Sequence, residues 1–146
     1  SHPRRQLHRW LEQHCFDRGY TYSAGKRLDL SGPIPEYARA FNRSKVAINL
    51  ANNRSTRTHR VFDAMACGCA LVTSPLPPVS GEKRACGWHY LEYGTYDELG
   101  LILDGLLASD GWQDMARAGY ELVMREHTWA VRAQQLRATI AEALGL

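Results

Sequence analysis

The sequence predicts an α/β fold in which a parallel sheet carries helices on both faces. Short apolar runs alternate along the chain with segments of helical periodicity. The run from Val46 to Leu50 is apolar except for Asn49, which is typical of a central strand buried on both faces. A helical segment then passes through Gly68 directly into a second apolar run. Strands that alternate with helices form parallel sheets through right-handed crossovers.

Periodicity and turn residues give the order of the elements. A helix is indicated where apolar residues recur three and four positions apart, and a strand where a β-prone run is bounded by glycine or proline. These rules predict a helix over 4–18, a strand over 20–24, a helix over 36–44, the central strand over 46–50, a helix from 58 to 67, and strands over 71–73 and 88–91.

Three closing helices are predicted at about 95–144. Thr95 and Glu98 have the spacing of a capping box at the start of the first helix. Asp110 and Thr128 are expected to cap the other two. The last helix is expected to direct an apolar face inward. This face consists of Trp129, Ala133, Leu136, Ile140 and Leu144.

The composition is that of an ordinary folded domain. Its 146 residues suffice for one domain with a substantial core, so we assign residues 1–146 to a single domain. The net charge of +3 is too small to indicate nucleic acid, and no apolar run approaches the ~20 residues of a transmembrane helix. The 4 cysteines suit neither a disulfide framework nor a metal site, so we expect buried free thiols and a cytoplasmic protein.

The start of the helix at residue 58 carries the chemistry. A polar, basic loop over 52–57 leads into this helix, so that basic side chains and free backbone N–H groups meet at one helix N-terminus. Nucleotide-binding α/β domains present a phosphate to a helix in this way. Arg57, Thr58 and Arg60 are therefore candidates for binding a diphosphate without a metal. The alternative is a solvated loop in which Thr58 is an ordinary N-cap.

Three further polar residues have candidate roles. Lys26 follows the end of a predicted strand and is either a second phosphate ligand or a surface lysine. Asp63 lies one turn into the helix on the face of Arg60, where it could accept from ribose hydroxyls or form an ion pair with Arg57 or Arg60. Asn49 is expected to tie adjacent loops together, because an unpaired buried amide costs ~1–3 kcal/mol. A D-x-D pair and a Ser-His-Asp constellation are both absent from the sequence.

Three ordered segments resemble one family. R-V-F-D-A-M-A-C-G at 60–68 resembles the R-x-F-E-A-M-A-x-G segment of GT-B type nucleotide-sugar glycosyltransferases. S-K-V-A-I-N-L at 44–50 and E-H-T-W-A-V-R-A at 126–133 are similar to segments of the CgeB-like (spore maturation protein-like) branch of the group 1 glycosyltransferases. The chain departs from the family at Asp63, where glutamate is usual, and at Ser55, where many members carry an acidic residue.

The resemblance implies a Rossmann-like domain that is the C-terminal, donor-binding half of a two-domain enzyme. Its substrate would be a nucleotide-diphosphate sugar, with no further cofactor and no metal. Asp63 would lie at the ribose, and the turn at Gly32 would cradle the base. The tail helix would brace the N-terminal half, which would also supply the general base. A chain that opens with Ser1 rather than methionine fits such a half, although a single-domain relative with its partner on another chain is the alternative.

Two functions follow from these patterns. The first is the donor half of a glycosyltransferase, which the basic loop and Arg60 favour. The second is a non-catalytic nucleotide-binding or interaction module, which the changes at Ser55 and Asp63 favour. A receiver-like domain is disfavoured because the early strand ends are basic rather than acidic.

Overall fold

The computed structural model of the chain describes residues 2–23, 34–51, 57–77 and 87–145, with the backbone alone at 34 and 35. The predicted α/β fold is confirmed. Within the described residues the elements follow in the order α1 (Pro3–Arg18), α2 (Ile34–Asn42), β1 (Val46–Asn49), α3 (His59–Ala66), β2 (Ala70–Thr73), β3 (Tyr90–Glu92), α4 (Tyr96–Ala108), α5 (Gly111–Glu126) and α6 (Trp129–Leu144). The strands form one parallel sheet in the order β1-β2-β3, and α3 lies between β1 and β2 in the chain.

Helices cover both faces of the sheet. On one face, Ala70 and Val72 of β2 pack with buried residues of α1 and α4. On the other face, Leu71 packs with Ala47 and with buried residues of α3 and the C-terminal half of α5. Since successive side chains of a strand point to opposite sides, β2 buries every side chain it has and is the centre of the core.

The strand predicted over 20–24 is wrong for the residues that the structure describes. Residues 20–23 form no strand, and residue 24 lies outside the described ranges. The Tyr20 hydroxyl instead donates to Asp104 of α4 at 3.2 Å, and the Tyr22 hydroxyl contacts the His8 ring of α1. The aromatic side chains that made this segment look β-prone therefore bind helices.

The predicted inward orientation of the apolar face of α6 is also wrong. The prediction placed this face inward, yet Trp129, Leu136 and Leu144 are 83%, 61% and 67% exposed, and Ala133 and Ile140 are exposed as well. Both faces of the sheet are already covered by other helices. Amphipathic periodicity predicts that a helix has an apolar stripe but does not say which surface covers it.

Two of the three predicted helix caps are confirmed. Thr95 and Glu98 form the complete capping box of α4. The Thr128 hydroxyl accepts from the Val131 N–H at the start of α6. Asp110 occupies the N-cap position of α5 but makes no side-chain cap bond, and the hydroxyl of Ser109 accepts the first N–H of that helix at 3.3 Å.

The thiol of Cys69 holds α2 against the start of β2. It is fully buried and donates to the carbonyl oxygens of Phe41 and Ser44 at 3.1 and 3.4 Å. Cys15 is also a buried free thiol, as expected, whereas Cys67 is only partly buried. Cys86 lies outside the described residues. Burial and the neighbouring Cys67 raise the pKa of Cys69 to about 12.

We expect Cys69 to make the fold sensitive to alkali. Its pKa is about 12 in the folded chain against an ordinary 9.0, so its contribution to stability is complete below pH 9 and is lost as the pH rises towards 12. Urea unfolding at pH values from 7 to about 11 measures this loss. The variant Cys69→Ala should show a flatter decline than the parent, while Cys67→Ala should keep most of the slope. The same decline in Cys69→Ala as in the parent would contradict the assignment.

Candidate functional site

The candidate site lies at the carboxyl end of the sheet, where α3 begins. Ligands of open parallel sheets bind outside this end of the strands. Thr58 precedes α3 in an extended conformation, and its side chain makes no cap bond to the helix. Its hydroxyl instead donates to the side-chain oxygen of Asn49 at 3.4 Å. Thr58 is therefore not the ordinary N-cap of the alternative interpretation, and its hydroxyl does not satisfy the N–H groups of the first turn of α3.

Asn49 ties the strand ends of the site together, as the sequence predicts. It is completely buried at the last position of β1, and its amide donates to the Thr73 hydroxyl at 2.9 Å. Its side-chain oxygen accepts from Thr58, and its backbone oxygen accepts from the Ser74 N–H at 3.0 Å. One side chain thus joins β1, β2 and the residue before α3.

The two candidate phosphate-binding arginines flank the start of α3. Arg57 is partly buried, and its Nε donates to the carbonyl of Pro77 at 3.4 Å. Arg60 is exposed in the first turn of the helix. The positive end of the helix dipole and both guanidinium groups therefore lie in one short stretch of chain.

Asp63 follows one turn later and contacts a residue that the sequence analysis did not select. One oxygen of its carboxylate accepts from the Tyr37 hydroxyl at 3.2 Å, across 26 positions of sequence. The positive charge of Arg60 acts on the same hydroxyl and lowers its pKa, but by less than burial and Asp63 raise it. The alternative ion pair between Asp63 and an arginine is not formed within the part of the chain that the structure describes. Burial, followed by the charge of Asp63, raises the pKa of Tyr37.

The structure brings together four of the six residues predicted to bind the donor: Arg57, Thr58, Arg60 and Asp63. Lys26 and Gly32 lie outside the described residues. Tyr37 joins the four through its hydrogen bond to Asp63. The sequence predicts the helix over 36–44 but contains no local signal that places its tyrosine beside Asp63, because the contact spans 26 positions.

The far side of α3 is braced by the junction of α5 and α6. The ring of His127 packs against Phe62 with a centroid distance of 4.8 Å. A guanidinium nitrogen of Arg132 lies 2.7 Å from Nδ1 of the same imidazole. His127 therefore links the end of α5 and the first turns of α6 to the helix that carries the candidate site.

The described ranges, 2–23, 34–51, 57–77 and 87–145, contain neither a metal-binding cluster nor a membrane-spanning helix. These residues hold no group of three or more histidine, cysteine, aspartate or glutamate side chains placed to bind a metal ion. Their helices include none with both the length and the apolar character needed to cross a membrane.

A search of curated proteins finds no match to this chain. Among solved structures, the chain is similar to the C-terminal domain of a glycosyl transferase group 1 family protein (LpcC) from Francisella tularensis. The TM-score is 0.51 at 19% sequence identity, and the match covers 87% of this chain and 66% of that one. At this identity the likeness shows a shared fold alone. This chain spans about two thirds of the length of the matched chain.

A family model described as glycosyl transferase-like matches residues 4–138. The match includes the basic residues before α3, the whole of that helix, the strands of the sheet and most of α6. Since it covers far more than half of the sequence, the chain belongs to the glycosyl transferase-like family.

Proposed function

We propose that this chain is the donor-binding, C-terminal half of a metal-independent GT-B type glycosyltransferase of the CgeB-like branch. It binds a nucleotide-diphosphate sugar, whose glycosyl group is transferred to an acceptor held elsewhere. Membership of the glycosyl transferase-like family supports the class of reaction. The segments at 44–50, 60–68 and 126–133 support the branch. The free thiols suit a reducing cytoplasm.

The observation that carries the proposal is the placement of positive charge at one helix start. Arg57 and Arg60 flank the N-terminus of α3 at the carboxyl end of the sheet. A nucleoside diphosphate leaves with added negative charge when the glycosyl bond breaks, and preformed donors that meet this charge lower the barrier. Backbone N–H groups and guanidinium groups supply such donors without a metal ion. Lys26 is proposed as a further phosphate ligand.

Asp63 is proposed to bind the ribose. It lies one helical turn from the first turn of α3, which corresponds to about 5 Å along the helix axis. This is about the separation between a diphosphate and the hydroxyl groups of the ribose attached to it. One carboxylate oxygen accepts from Tyr37, and the other remains for a ribose hydroxyl. The backbone around Gly32 is proposed to hold the base.

An N-terminal half of the enzyme, which would complete the site, is proposed to dock on α6. Trp129, Leu136 and Leu144 form an exposed apolar face on that helix, which the rest of the described chain leaves uncovered. Contiguous exposed apolar surface of this kind marks interaction sites. An N-terminal half docked here would bring the acceptor and the general base to the donor. We therefore expect the chain alone to bind the donor without transferring its sugar.

A non-catalytic nucleotide-binding module is the second candidate. Asp63 is one methylene shorter than the glutamate usual in the family, and Ser55 stands where many members carry an acidic residue. The first change shortens the reach towards a ribose, and the second removes a carboxylate. A module of this kind would bind nucleotides in the same place and would not transfer sugar even when joined to the complete protein.

The test is a ligand-observed NMR screen of the purified chain with uridine, guanosine and adenosine diphosphates in EDTA. We expect at least one of these to bind, because the proposed contacts come from side chains and backbone N–H groups. Addition of Mg²⁺ should change the affinity little. Absence of binding by all three would overturn the proposed function. Binding that requires Mg²⁺ would overturn the metal-independent site, and sugar transfer by the chain alone would overturn the need for a second half.

A further inference from the structure

Tyr37 binds the residue proposed for the ribose from a neighbouring helix. Its hydroxyl donates to the carboxylate of Asp63 at 3.2 Å. Asp63 belongs to α3, whereas Tyr37 belongs to α2. The hydroxyl is thus a cross-link between two helices at the candidate ribose site.

The tyrosine ring is itself held in place. It packs edge-on against Phe41, one turn later on α2, at 5.0 Å between ring centroids. Phe41 in turn packs on the core, and its carbonyl accepts from the buried thiol of Cys69. Tyr37 therefore presents its hydroxyl from an anchored helix rather than from a mobile surface.

We propose that Tyr37 is a positioning residue for ribose recognition, fixing the carboxylate of Asp63 in the rotamer that offers one free oxygen to the ligand. This inference rests on the proposed function. A partly exposed aspartate on a short helix would otherwise populate several rotamers, and a ligand that selects one of them binds less tightly.

The positioning role also bears on the short side chain at this position. An aspartate reaches less far from the helix than a glutamate, so it tolerates less misplacement before a hydrogen bond is lost. A donor on the neighbouring helix compensates by holding the carboxylate still. Tyr37 would then be the residue that lets an aspartate serve where the family usually has a glutamate.

The test uses Tyr37→Phe, which keeps the ring and its packing on Phe41 and removes only the hydroxyl. We expect binding of the best ribonucleoside diphosphate from the screen to weaken about fivefold to tenfold, which is the net value of one ordinary hydrogen bond. Binding of inorganic pyrophosphate and of the matching 2′,3′-dideoxynucleoside diphosphate should stay within about twofold, because neither can donate to Asp63. Tyr20→Phe is the matched control, since its hydroxyl donates to Asp104 on another surface.

A double-mutant cycle distinguishes positioning from a general structural role. In an Asp63→Asn background, Tyr37→Phe should cause little additional loss of ribonucleoside diphosphate binding. Alkaline titration followed by tyrosine absorbance supplies a readout that needs no ligand. Asp63→Asn should lower the pKa of one tyrosine, and this change should disappear when Tyr37→Phe is added.

The outcomes separate the two proposals. If the wild-type chain binds no ribonucleoside diphosphate, the proposed function is overturned and the ribose role of Tyr37 with it. If the wild type binds but Tyr37→Phe weakens all three ligands equally, or weakens none of them, the positioning role alone is overturned. Additive losses of ligand binding in the cycle would overturn it as well. So would a tyrosine titration curve that is unchanged by Asp63→Asn.

Discussion

Replacing Arg57 and Arg60 together with alanine is expected to weaken nucleoside diphosphate binding by at least about tenfold. Each guanidinium group can form a charge-assisted hydrogen bond to the diphosphate, and such bonds contribute ~1.5–3 kcal/mol each. The two side chains flank the start of α3, so the variant removes both guanidinium groups and leaves the helix N-terminus and the proposed Lys26 contact. Isothermal titration calorimetry measures the loss, which should shrink at high salt because part of the interaction is screened.

The single variants separate charge from structure in this experiment. Arg60 is exposed in the first turn of α3, whereas Arg57 also donates to the Pro77 carbonyl and so helps to hold the segment after β2. Arg60→Ala should therefore weaken binding without a change in stability. A double variant at the exposed Arg117 of α5 and Arg137 of α6 removes the same charge outside the candidate site and should bind as the parent does. Equal losses of binding in the two double variants would show that net charge, rather than contact with the diphosphate, causes the effect.

Asn49→Ala is expected to be the most destabilising of the substitutions considered. The side chain is completely buried and joins Thr73 to Thr58, so alanine removes two hydrogen bonds and leaves a cavity. The expected cost is about 2–4 kcal/mol in the free energy of unfolding. Urea unfolding measures it, with Asn42→Ala at the exposed end of α2 as the matched control.

The same variant should also weaken ligand binding. Loss of the Asn49 side chain frees the Thr58 hydroxyl and the chain that leads into α3. Thr73→Val should reproduce part of the loss of stability but none of the release of Thr58. It removes the bonds of the Thr73 hydroxyl to Asn49 and to the Ser74 carbonyl, and it leaves the bond between Asn49 and Thr58 in place. An Asn49→Ala chain as stable as Asn42→Ala would show that the buried amide is not what joins the strand ends.

The central part of the fold could be predicted because its signals are local. Apolar runs gave β1 and β2, and the glycine after α3 separated helix from strand. The capping box of α4 was readable from two residues three positions apart. The same local pattern placed the candidate phosphate-binding residues at a helix start, where the structure has them.

The remaining features depend on contacts between distant parts of the chain. Tyr37 and Asp63 are 26 positions apart, and only the packing of α2 beside α3 brings them together. Tyr20 is β-prone by propensity, but it lies in no strand, and its hydroxyl donates to Asp104 on α4. For α6, periodicity identified the apolar stripe and gave no information on its cover.

The proposed docking on the exposed face of α6 would separate association from folding in this chain. No side chain of that helix is fully buried, while β2 and the helices around the sheet supply the core. Substitutions along the outer face of α6 would then change what the domain assembles with and leave its α/β core intact. Architecture and choice of neighbour would be encoded in different stretches of sequence, so that one could diverge while the other is retained.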